Sequence, residues 1–307
     1  MPPTSSPRRL RLLARIREDT ARADALLVQL RDGGMSRGDL AALIDHTPSA
    51  ASSTPKPGRD RGPRKLLVPD LELMIVQRWL LHELLGRLPV HRDAFAYVKG
   101  RSVVDCARRH LGAQWLVKID ISDFFGSVGE RRVHQVFRAQ GYQPLVAYEL
   151  SRLCTWDDRR DEVDPVRKDR YPKITAYQGG WGGSLPQGAP TSGVLANLVV
   201  RAMDERLSRI AARRGLVYAR YSDDMVFSGG TPFSRSSAVS ALRELSHAVQ
   251  AHRFTVNARK TRIVPPGARR SVLGLLVNGD TPRLAPDFKS RVLSHLYGIE
   301  KFGLRAH

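Results

Sequence analysis

The chain has 307 residues, of which 42% are hydrophobic, and its formal net charge of +20 corresponds to a pI of about 10.8. A basic excess this large indicates a polyanionic partner, and nucleic acid is favoured over a membrane because no run of about 18 apolar residues occurs. Two cysteines without CxxC spacing argue against a disulfide framework or a zinc site, and with no secretory signal pattern they predict a cytoplasmic protein.

The N-terminal region, residues 1–46, is predicted to be a helical extension. Apolar periodicity indicates amphipathic helices over 8–31 and 36–44. Residues 47–63 are rich in Ser, Pro and Gly, a composition typical of a linker or mobile loop.

A short strand is then predicted over Arg64–Pro69, followed by a helix with Asp70 as its N-cap. The apolar side of this helix is predicted to consist of Leu71, Met74, Leu81, Leu85 and Leu88. A basic turn containing Lys99 and Arg101 leads into a helical segment that extends through His110.

The apolar run from Trp115 predicts a buried strand that ends on Asp120. Helices are expected near Glu130–Gln140 and Val146–Cys154, followed by an irregular insertion over 155–183. This insertion contains Trp156, Tyr171, Tyr177 and Trp181 among many charged residues. Aromatic residues with interleaved bases suit stacking on single-stranded nucleic acid and equally suit anchoring a loop or a protein partner.

A turn-rich loop, Leu185–Ser192, precedes one long predicted helix whose apolar side runs from Leu195 to Ile210. The apolar runs on either side of Tyr221-Ser222-Asp223-Asp224 then predict a β-hairpin whose tight turn presents two acids. The last predicted elements are a helix over Ser237–His252, strands around Phe254–Val256 and Val272–Val277, and a basic helix over Asp287–Gly298.

Adjacent carboxylates repel each other and raise each other's pKa, so a fold that points both one way usually neutralises them with a cation. One carboxylate from a strand end, Asp120, and two from a hairpin turn, Asp223 and Asp224, would hold two divalent ions about 4 Å apart, which suits in-line phosphoryl transfer. A solvated loop is the alternative for an Asp-Asp turn, and Asp123 fits a surface acid or helix cap.

Several segments occur in one order: Ile119–Phe125, Leu185–Ser192, Tyr218–Asp224, Asn257–Thr261 and Val272–Asn278. Together they resemble a reverse transcriptase, most closely the bacterial retron type, over about two thirds of the chain. The resemblance implies an α+β right-hand polymerase with fingers over 64–114, a palm with an antiparallel sheet over 115–278 and a short partial thumb over 279–307.

The resemblance also implies a metal site and a proton donor. Asp120, Asp223 and Asp224, with the carbonyl of Ile121, would bind two Mg²⁺ ions, with Mn²⁺ as an alternative. Lys260 would protonate the leaving pyrophosphate.

The nucleotide site implied by the resemblance contains four residues. Arg64 and Lys65 would grip the triphosphate of the incoming dNTP, Phe125 would leave no room for a 2′-hydroxyl, and Gln187 would touch the nucleotide. A core aromatic is the alternative for Phe125, and a plain turn residue is the alternative for Gln187.

Contacts to primer and template are implied at the hairpin turn, the basic turn and the final helix. The residues are Tyr221 and Ser222 beside the primer end, Lys99 and Arg101 on the template backbone, and Lys289 and Arg291 on the minor groove of the duplex. A solvated basic surface is the alternative for the four cations, and an ordinary hairpin aromatic is the alternative for Tyr221.

The chain departs from the retron pattern in two places. Cys106 stands where retron enzymes carry the Asn of Asn-Ala-x-x-His, and Leu273 stands where they carry the Thr of Val-Thr-Gly. In the family both places are tied to recognition of the cognate RNA.

The leading hypothesis is therefore an RNA-directed DNA polymerase that copies a structured noncoding RNA from dNTPs, giving an RNA–DNA hybrid. The resemblance adds a role in antiphage defence with an accessory effector protein, and no membrane partner. The alternatives are another defence-associated or group II intron-like reverse transcriptase with a different template, and a nucleic-acid-binding scaffold with an inactive palm.

Overall fold

The computed structural model describes residues 66–69, 71–157 and 182–302. The predicted N-terminal helices, the linker, Arg64, Lys65 and most of the 155–183 insertion lie outside these residues. The described part divides into two compact units, the first formed by 66–89, 125–157 and 182–199 and the second by 90–124 and 200–302. The residue boundaries given above for the fingers, palm and thumb remain predictions.

The described part mixes α-helices with antiparallel sheets. The helices are α1 Leu71–Trp79, α2 Val103–Arg108, α3 Glu130–Ala139, α4 Pro144–Cys154, α5 Ser192–Val199, α6 Arg201–Arg213, α7 Arg235–Ala251 and α8 Pro286–Phe302. The strands are β1 Trp115–Asp120, β2 Val217–Tyr221, β3 Asp224–Gly229, β4 Arg262–Val264, β5 Ser271–Val272, β6 Leu275–Leu276 and β7 Arg283–Leu284. None of these helices is both long and apolar enough to cross a membrane.

The predicted apolar side of the first helix was partly wrong. The structure buries Leu73, Val76 and Leu80 and leaves Leu71 71% exposed. The buried side packs against α4, where the side chain of Gln77 donates a hydrogen bond to a backbone carbonyl. Because apolar residues occur nearly all round this helix, the neighbouring helix decides which stripe is buried. After Trp79 the helix continues as a π-helical turn and a short 3₁₀ turn.

The strand predicted over Arg64–Pro69 is also absent from its described part, 66–69. Instead of a ladder, the Leu67 amide donates one hydrogen bond of 2.9 Å to the Gln187 carbonyl. A single bond of this kind holds a loop but does not continue into a sheet.

The second unit is built on a four-stranded antiparallel sheet in the order β2-β3-β1-β4. Its central strand β1 is buried along nearly its whole length, as its continuous apolar run predicts. Helix α6 packs against β2 and helix α7 packs against β1, so the two helices cover the sheet with their apolar sides. The β2–β3 hairpin and the strand ending at Asp120 therefore form as predicted.

Three of the other predicted elements differ in detail. The single long helix is two helices, because the backbone turns out of helical geometry at Val200. Around Phe254–Val256 there is only an isolated bridge to Ile121, and the edge strand is β4 instead. The strand predicted over Val272–Val277 is the hairpin β5–β6, because Leu273 and Gly274 both have positive φ, 51° and 84°. Two consecutive residues of this kind form the turn that matches strand twist.

Candidate active site

Three carboxylates lie at one end of the four-stranded sheet. Asp120 is the last residue of β1 and pairs in register with Asp224, the first residue of β3. Such antiparallel partners have Cα atoms about 4.5–5.5 Å apart. Asp223 precedes Asp224 in the hairpin turn, and its carbonyl accepts a 3.1 Å hydrogen bond from the Ile121 amide. The two acidic segments are thus joined by backbone hydrogen bonds.

The hairpin turn has an unusual residue at its first position. Ser222 and Asp223 form a two-residue loop, and of the two only Ser222 has a positive φ, 59°. This is the pattern of a type II′ turn, whose first position normally carries glycine. A serine there carries strain on the order of 1 kcal/mol. Two side chains compensate: Arg220 Nη1 donates to the Ser222 carbonyl at 3.0 Å, and Tyr97 Oη lies 3.3 Å from Ser222 Oγ.

Arg220 is held in turn by a carboxylate from helix α6. Its side chain is fully buried, and its Nε and Nη2 lie 2.8 and 2.7 Å from the two oxygens of Asp204. The Tyr218 hydroxyl also donates to Asp204, at 2.7 Å. Burial first, and then Asp204, raise the pKa of Tyr218 well above its usual value, so this hydroxyl stays a donor. The hairpin turn is therefore supported by a buried network in which Arg220, Asp204 and Tyr218 are hydrogen-bonded to one another.

Lys260 links the two acidic segments through its side chain. Its Nζ lies 2.6 Å from Oδ2 of Asp120 and 3.9 Å from Oδ2 of Asp223, so one ammonium group reaches both carboxylates. The same segment is attached through its backbone, because the Asn257 amide donates to the Asp120 carbonyl at 2.8 Å. Lys260 remains one third exposed.

The negative charge of the site is only partly compensated by the protein. Burial, and then the neighbouring Asp223, raise the pKa of Asp224 against the opposing effect of Lys118. The other oxygen of Asp120, Oδ1, is buried and has no hydrogen-bond partner among the described residues. Both observations fit a divalent cation, because carboxylate and carbonyl oxygens are the donors that Mg²⁺ prefers.

The arrangement is not a preassembled metal cage. Within the described ranges, no three side chains of His, Cys, Asp or Glu are already gathered around a point that could hold an ion. Lys260 engages one oxygen of Asp120, so its ammonium group stands in for part of the positive charge that a cation would supply.

Two predicted nucleotide contacts lie in the first unit. Phe125 is half-buried, whereas its neighbour Phe124 is a core residue whose ring lies 6.0 Å from Phe254. Gln187 is half-buried in a turn whose next residue, Gly188, has a φ of 128°. A Cβ on that glycine would lie 2.9 Å from the Leu67 carbonyl oxygen, so glycine is needed for a close backbone approach.

The predicted template and duplex contacts have different surroundings. Lys99 is exposed, whereas Arg101 Nη1 donates to three backbone carbonyls, those of His91, Arg92 and Ala94. Arg101 thus anchors its own loop. Lys289 and Arg291 are exposed on α8, and the Arg291 guanidinium lies 5.9 Å from the centre of the Phe288 ring.

Sequence reasoning missed Asp204, Arg220 and Tyr97. One signal was available for Arg220, a charged residue inside a strand whose neighbours Tyr218 and Ala219 are apolar and buried. A charge in such a place is normally paired. Its partner on α6 could not be identified from spacing along the chain.

The family model for the reverse transcriptase (RNA-dependent DNA polymerase) matches residues 54–277. The chain belongs to the reverse transcriptase family. This membership confirms the predicted α+β right-hand polymerase fold class.

Three curated relatives confirm the resemblance to the retron type. The chain is 37% identical to the retron Mx162 reverse transcriptase of Myxococcus xanthus, over 72% of this chain and 46% of the relative. It is 30% identical to the retron Ec86 enzyme of Escherichia coli, over 73% and 61%, and 36% identical to the retron Mx65 enzyme of Myxococcus xanthus, over 72% and 50%. The chain thus spans about half the length of the curated relatives it matches.

One solved structure is similar over part of the fold. The telomerase of Candida albicans, in complex with a fragment of telomeric RNA, aligns with 70% of this chain and 37% of its own, with a TM-score of 0.43 and 12% identity. A likeness at this level carries no argument about function.

Proposed function

We propose that this reverse transcriptase is an RNA-directed DNA polymerase of the retron type, which copies a structured noncoding RNA into DNA. The observation that carries the proposal is the in-register pairing of Asp120 with Asp224, with Asp223 in the adjoining turn. Family membership and the net charge of +20 support it, because a template and its product are both polyanions.

The three aspartates and the Ile121 carbonyl are the proposed ligands of two Mg²⁺ ions, with Mn²⁺ as an alternative. Such ions, when bound, supply activation of the primer hydroxyl and stabilisation of the leaving pyrophosphate. Lys260 has its own task in this proposal. Its ammonium group holds Asp120 in place and carries the proton for the pyrophosphate, which is general acid catalysis.

The remaining residues are proposed to position the substrates. Phe125 borders the sugar and excludes a 2′-hydroxyl, while Gln187 contacts the incoming dNTP; Arg64 and Lys65 bind its triphosphate. The proposed contacts to primer and template are Tyr221 and Ser222 at the primer end, Lys99 and Arg101 on the template, and Lys289 and Arg291 on the duplex.

The decisive experiment is primer extension on poly(rA)/oligo(dT) with Mg²⁺. Asp223→Asn and Asp224→Asn are each expected to reduce incorporation to background, because an amide is a poorer metal ligand than a carboxylate. Asp123→Asn is the matched control: Asp123 is exposed with a φ of 44°, a conformation that asparagine tolerates well. An inactive wild-type protein would instead favour a nucleic-acid-binding scaffold, whereas an active Asp224→Asn variant would contradict the proposed metal site.

Binding of the ion can be measured apart from activity. Mg²⁺ is expected to raise the unfolding temperature of the wild-type protein, because a ligand that binds only the folded state stabilises it. The Asp120→Asn and Asp224→Asn variants should show a much smaller shift, and the Asp123→Asn control should match the wild type.

The retron assignment concerns the template. Co-expression with the DNA upstream of the reading frame is expected to yield a small multicopy DNA joined to RNA, and an accessory effector encoded nearby would act with it in antiphage defence in the cytoplasm. If sequencing recovers a different cDNA, the enzyme is another defence-associated or group II intron-like reverse transcriptase.

A further inference from the structure

A basic groove runs along the outer surface of helices α6 and α7. The helices turn their apolar sides to the sheet, and their opposite sides enclose a groove of about 860 Å³ that adjoins a second depression of about 840 Å³. Arg243 and Glu244 line both parts, so the surface is continuous. Its arginines are Arg206, Arg209, Arg213, Arg214, Arg235 and Arg243.

The positive charge of this basic groove is largely uncompensated. Among the described residues of its lining Glu244 is the single acid, and its two oxygens are engaged by Arg213 at 2.8 Å and Arg214 at 2.6 Å. Arg206 and Arg243 are exposed, and neither forms an ion pair with an acid in the part of the chain that the structure describes. Gathered, unpaired guanidinium groups produce a positive potential that a polyanion complements.

The lining of the basic groove indicates how a polyanion would be recognised. Besides the arginines, Glu244 and His247, the described residues of the lining carry aliphatic and hydroxyl side chains, among them Ile210, Val239 and Ser240, and none of them is Phe, Tyr or Trp. Proteins that hold single strands stack the bases on aromatic rings. A groove that offers six guanidinium groups and one imidazole ring is suited to phosphate contacts, for which the guanidinium fork is the best donor.

The length of the groove matches a nucleic acid backbone. The lining residues of α6 run from Arg206 to Arg213 and those of α7 from Arg235 to His247, so at about 1.5 Å per residue the two groove walls are about 10 and 18 Å long. Arg206, Arg209 and Arg213 follow one another at spacings of three and four residues, which places them on one side of α6. A row of this length spans several consecutive phosphates.

We propose that the basic groove binds the phosphate backbone of a base-paired stem in the RNA that the enzyme copies. The inference rests on the proposed function, since it assigns a second attachment point to the same template RNA. None of the lining residues that the structure describes belongs to the carboxylate site, so the groove holds the RNA while copying occurs elsewhere on the protein.

The test uses an RNA hairpin with a stem of about 20 base pairs and arbitrary sequence, with binding followed by fluorescence anisotropy at several salt concentrations. The groove variant carries Arg206→Glu and Arg243→Glu. The control variant carries Arg78→Glu and Arg131→Glu, which are exposed residues of α1 and α3 with the same change in charge. Thermal unfolding of both variants checks that they fold.

The groove variant is expected to bind the hairpin at least about 10-fold more weakly than the wild type. The magnitude of the slope of log K against log salt concentration should fall by about two, because each lost phosphate contact changes it by about 0.9. The control variant should stay close to the wild type in both measurements. Equal binding by the groove variant and the wild type, or a loss confined to a DNA duplex of the same sequence, overturns the inference.

Primer extension separates this inference from the proposed function. On preformed poly(rA)/oligo(dT) at saturating concentration, the groove variant should keep the wild-type kcat, because the carboxylate site is untouched. An inactive wild-type protein refutes the proposed function while hairpin binding still reports on the groove. If the groove variant loses kcat by the same factor as it loses affinity for the hairpin, the groove is not a separate attachment site for the RNA.

Discussion

Arg220 and Asp204 form an ion pair with no exposure to solvent, directly beneath the turn that carries the paired aspartates. The pair connects helix α6 to strand β2, and a further nitrogen of Arg220 donates to the Ser222 carbonyl. A helix on one side of the sheet is thereby coupled to the geometry of the hairpin turn.

Breaking this ion pair is expected to be strongly destabilising. Asp204→Ala leaves a buried guanidinium unpaired and should lower the free energy of unfolding by about 3–5 kcal/mol, measured by urea denaturation. The double variant Asp204→Leu with Arg220→Met should lose much less, because apolar replacement of a whole buried pair is often near neutral. If Asp204→Ala is as stable as the wild type, the pair does not hold the turn.

The same double variant tests the turn itself. Without Arg220 the Ser222 carbonyl loses its donor, so backbone amides near residues 221–224 should exchange their hydrogens faster while the rest of the sheet stays protected. Native-state hydrogen exchange with mass spectrometry measures this. Unchanged exchange at the turn would show that the Tyr97 contact and the strand ladder suffice.

His110 is expected to make the stability depend on pH. Burial, and then Arg109 and Lys118, lower its pKa to about 3, and its Nδ1 lies 2.8 Å from the Ser228 hydroxyl. The unfolded chain binds the proton more readily than the folded protein does. The free energy of unfolding is therefore not reduced by this group above the ordinary histidine pKa of about 6.5. Between that pH and pH 3 it falls as the pH is lowered, with a limiting slope of about 1.4 kcal/mol per pH unit.

Urea denaturation from pH 7 to pH 4 measures this dependence. His110→Gln is expected to flatten the profile relative to the wild type, and His82→Gln, which replaces an exposed histidine, should leave it unchanged. A His110→Gln profile as steep as that of the wild type would assign the acid sensitivity to other groups.

Lys260 is expected to increase the rate of the nucleotide-incorporation step. Lys260→Met removes the ammonium group bound to Asp120 and the proposed proton donor, and should reduce single-turnover incorporation by about 10²–10⁴-fold with little change in primer–template affinity. Arg259→Met removes the same charge from the adjacent exposed position and serves as the control. Full activity of Lys260→Met would exclude this role.

Phe125 is expected to govern the choice of sugar. Phe125→Ala should improve incorporation of ribonucleotides relative to deoxynucleotides by about 10–200-fold, which is the usual effect of opening an apolar pocket. The ratio of kcat/KM for rGTP and dGTP on a defined template measures it. If the ratio stays at the wild-type value, the half-buried ring is a packing residue and the alternative interpretation holds.

The position of the carboxylates could be predicted because the determining patterns are local. An apolar run that ends on Asp120 forms a buried strand, and two apolar runs around a two-residue loop form a hairpin that carries Asp223 and Asp224. Continuous apolar runs and turn length are properties of neighbouring residues, so they can be recognised in the sequence. The strand β4 was missed because it is only three residues long and has an exposed arginine at its start.

The sequence alone determined the family, the basic character and the acidic residues of this protein, since each depends on residue type and short-range spacing. The tertiary structure alone decided that Arg220 is buried against Asp204, that Lys260 reaches two carboxylates, and that the arginines of α6 and α7 share one groove. Burial and charge pairing depend on which distant segments of the chain pack together. The spacing of residues along the sequence does not indicate which of them are in contact in the folded protein.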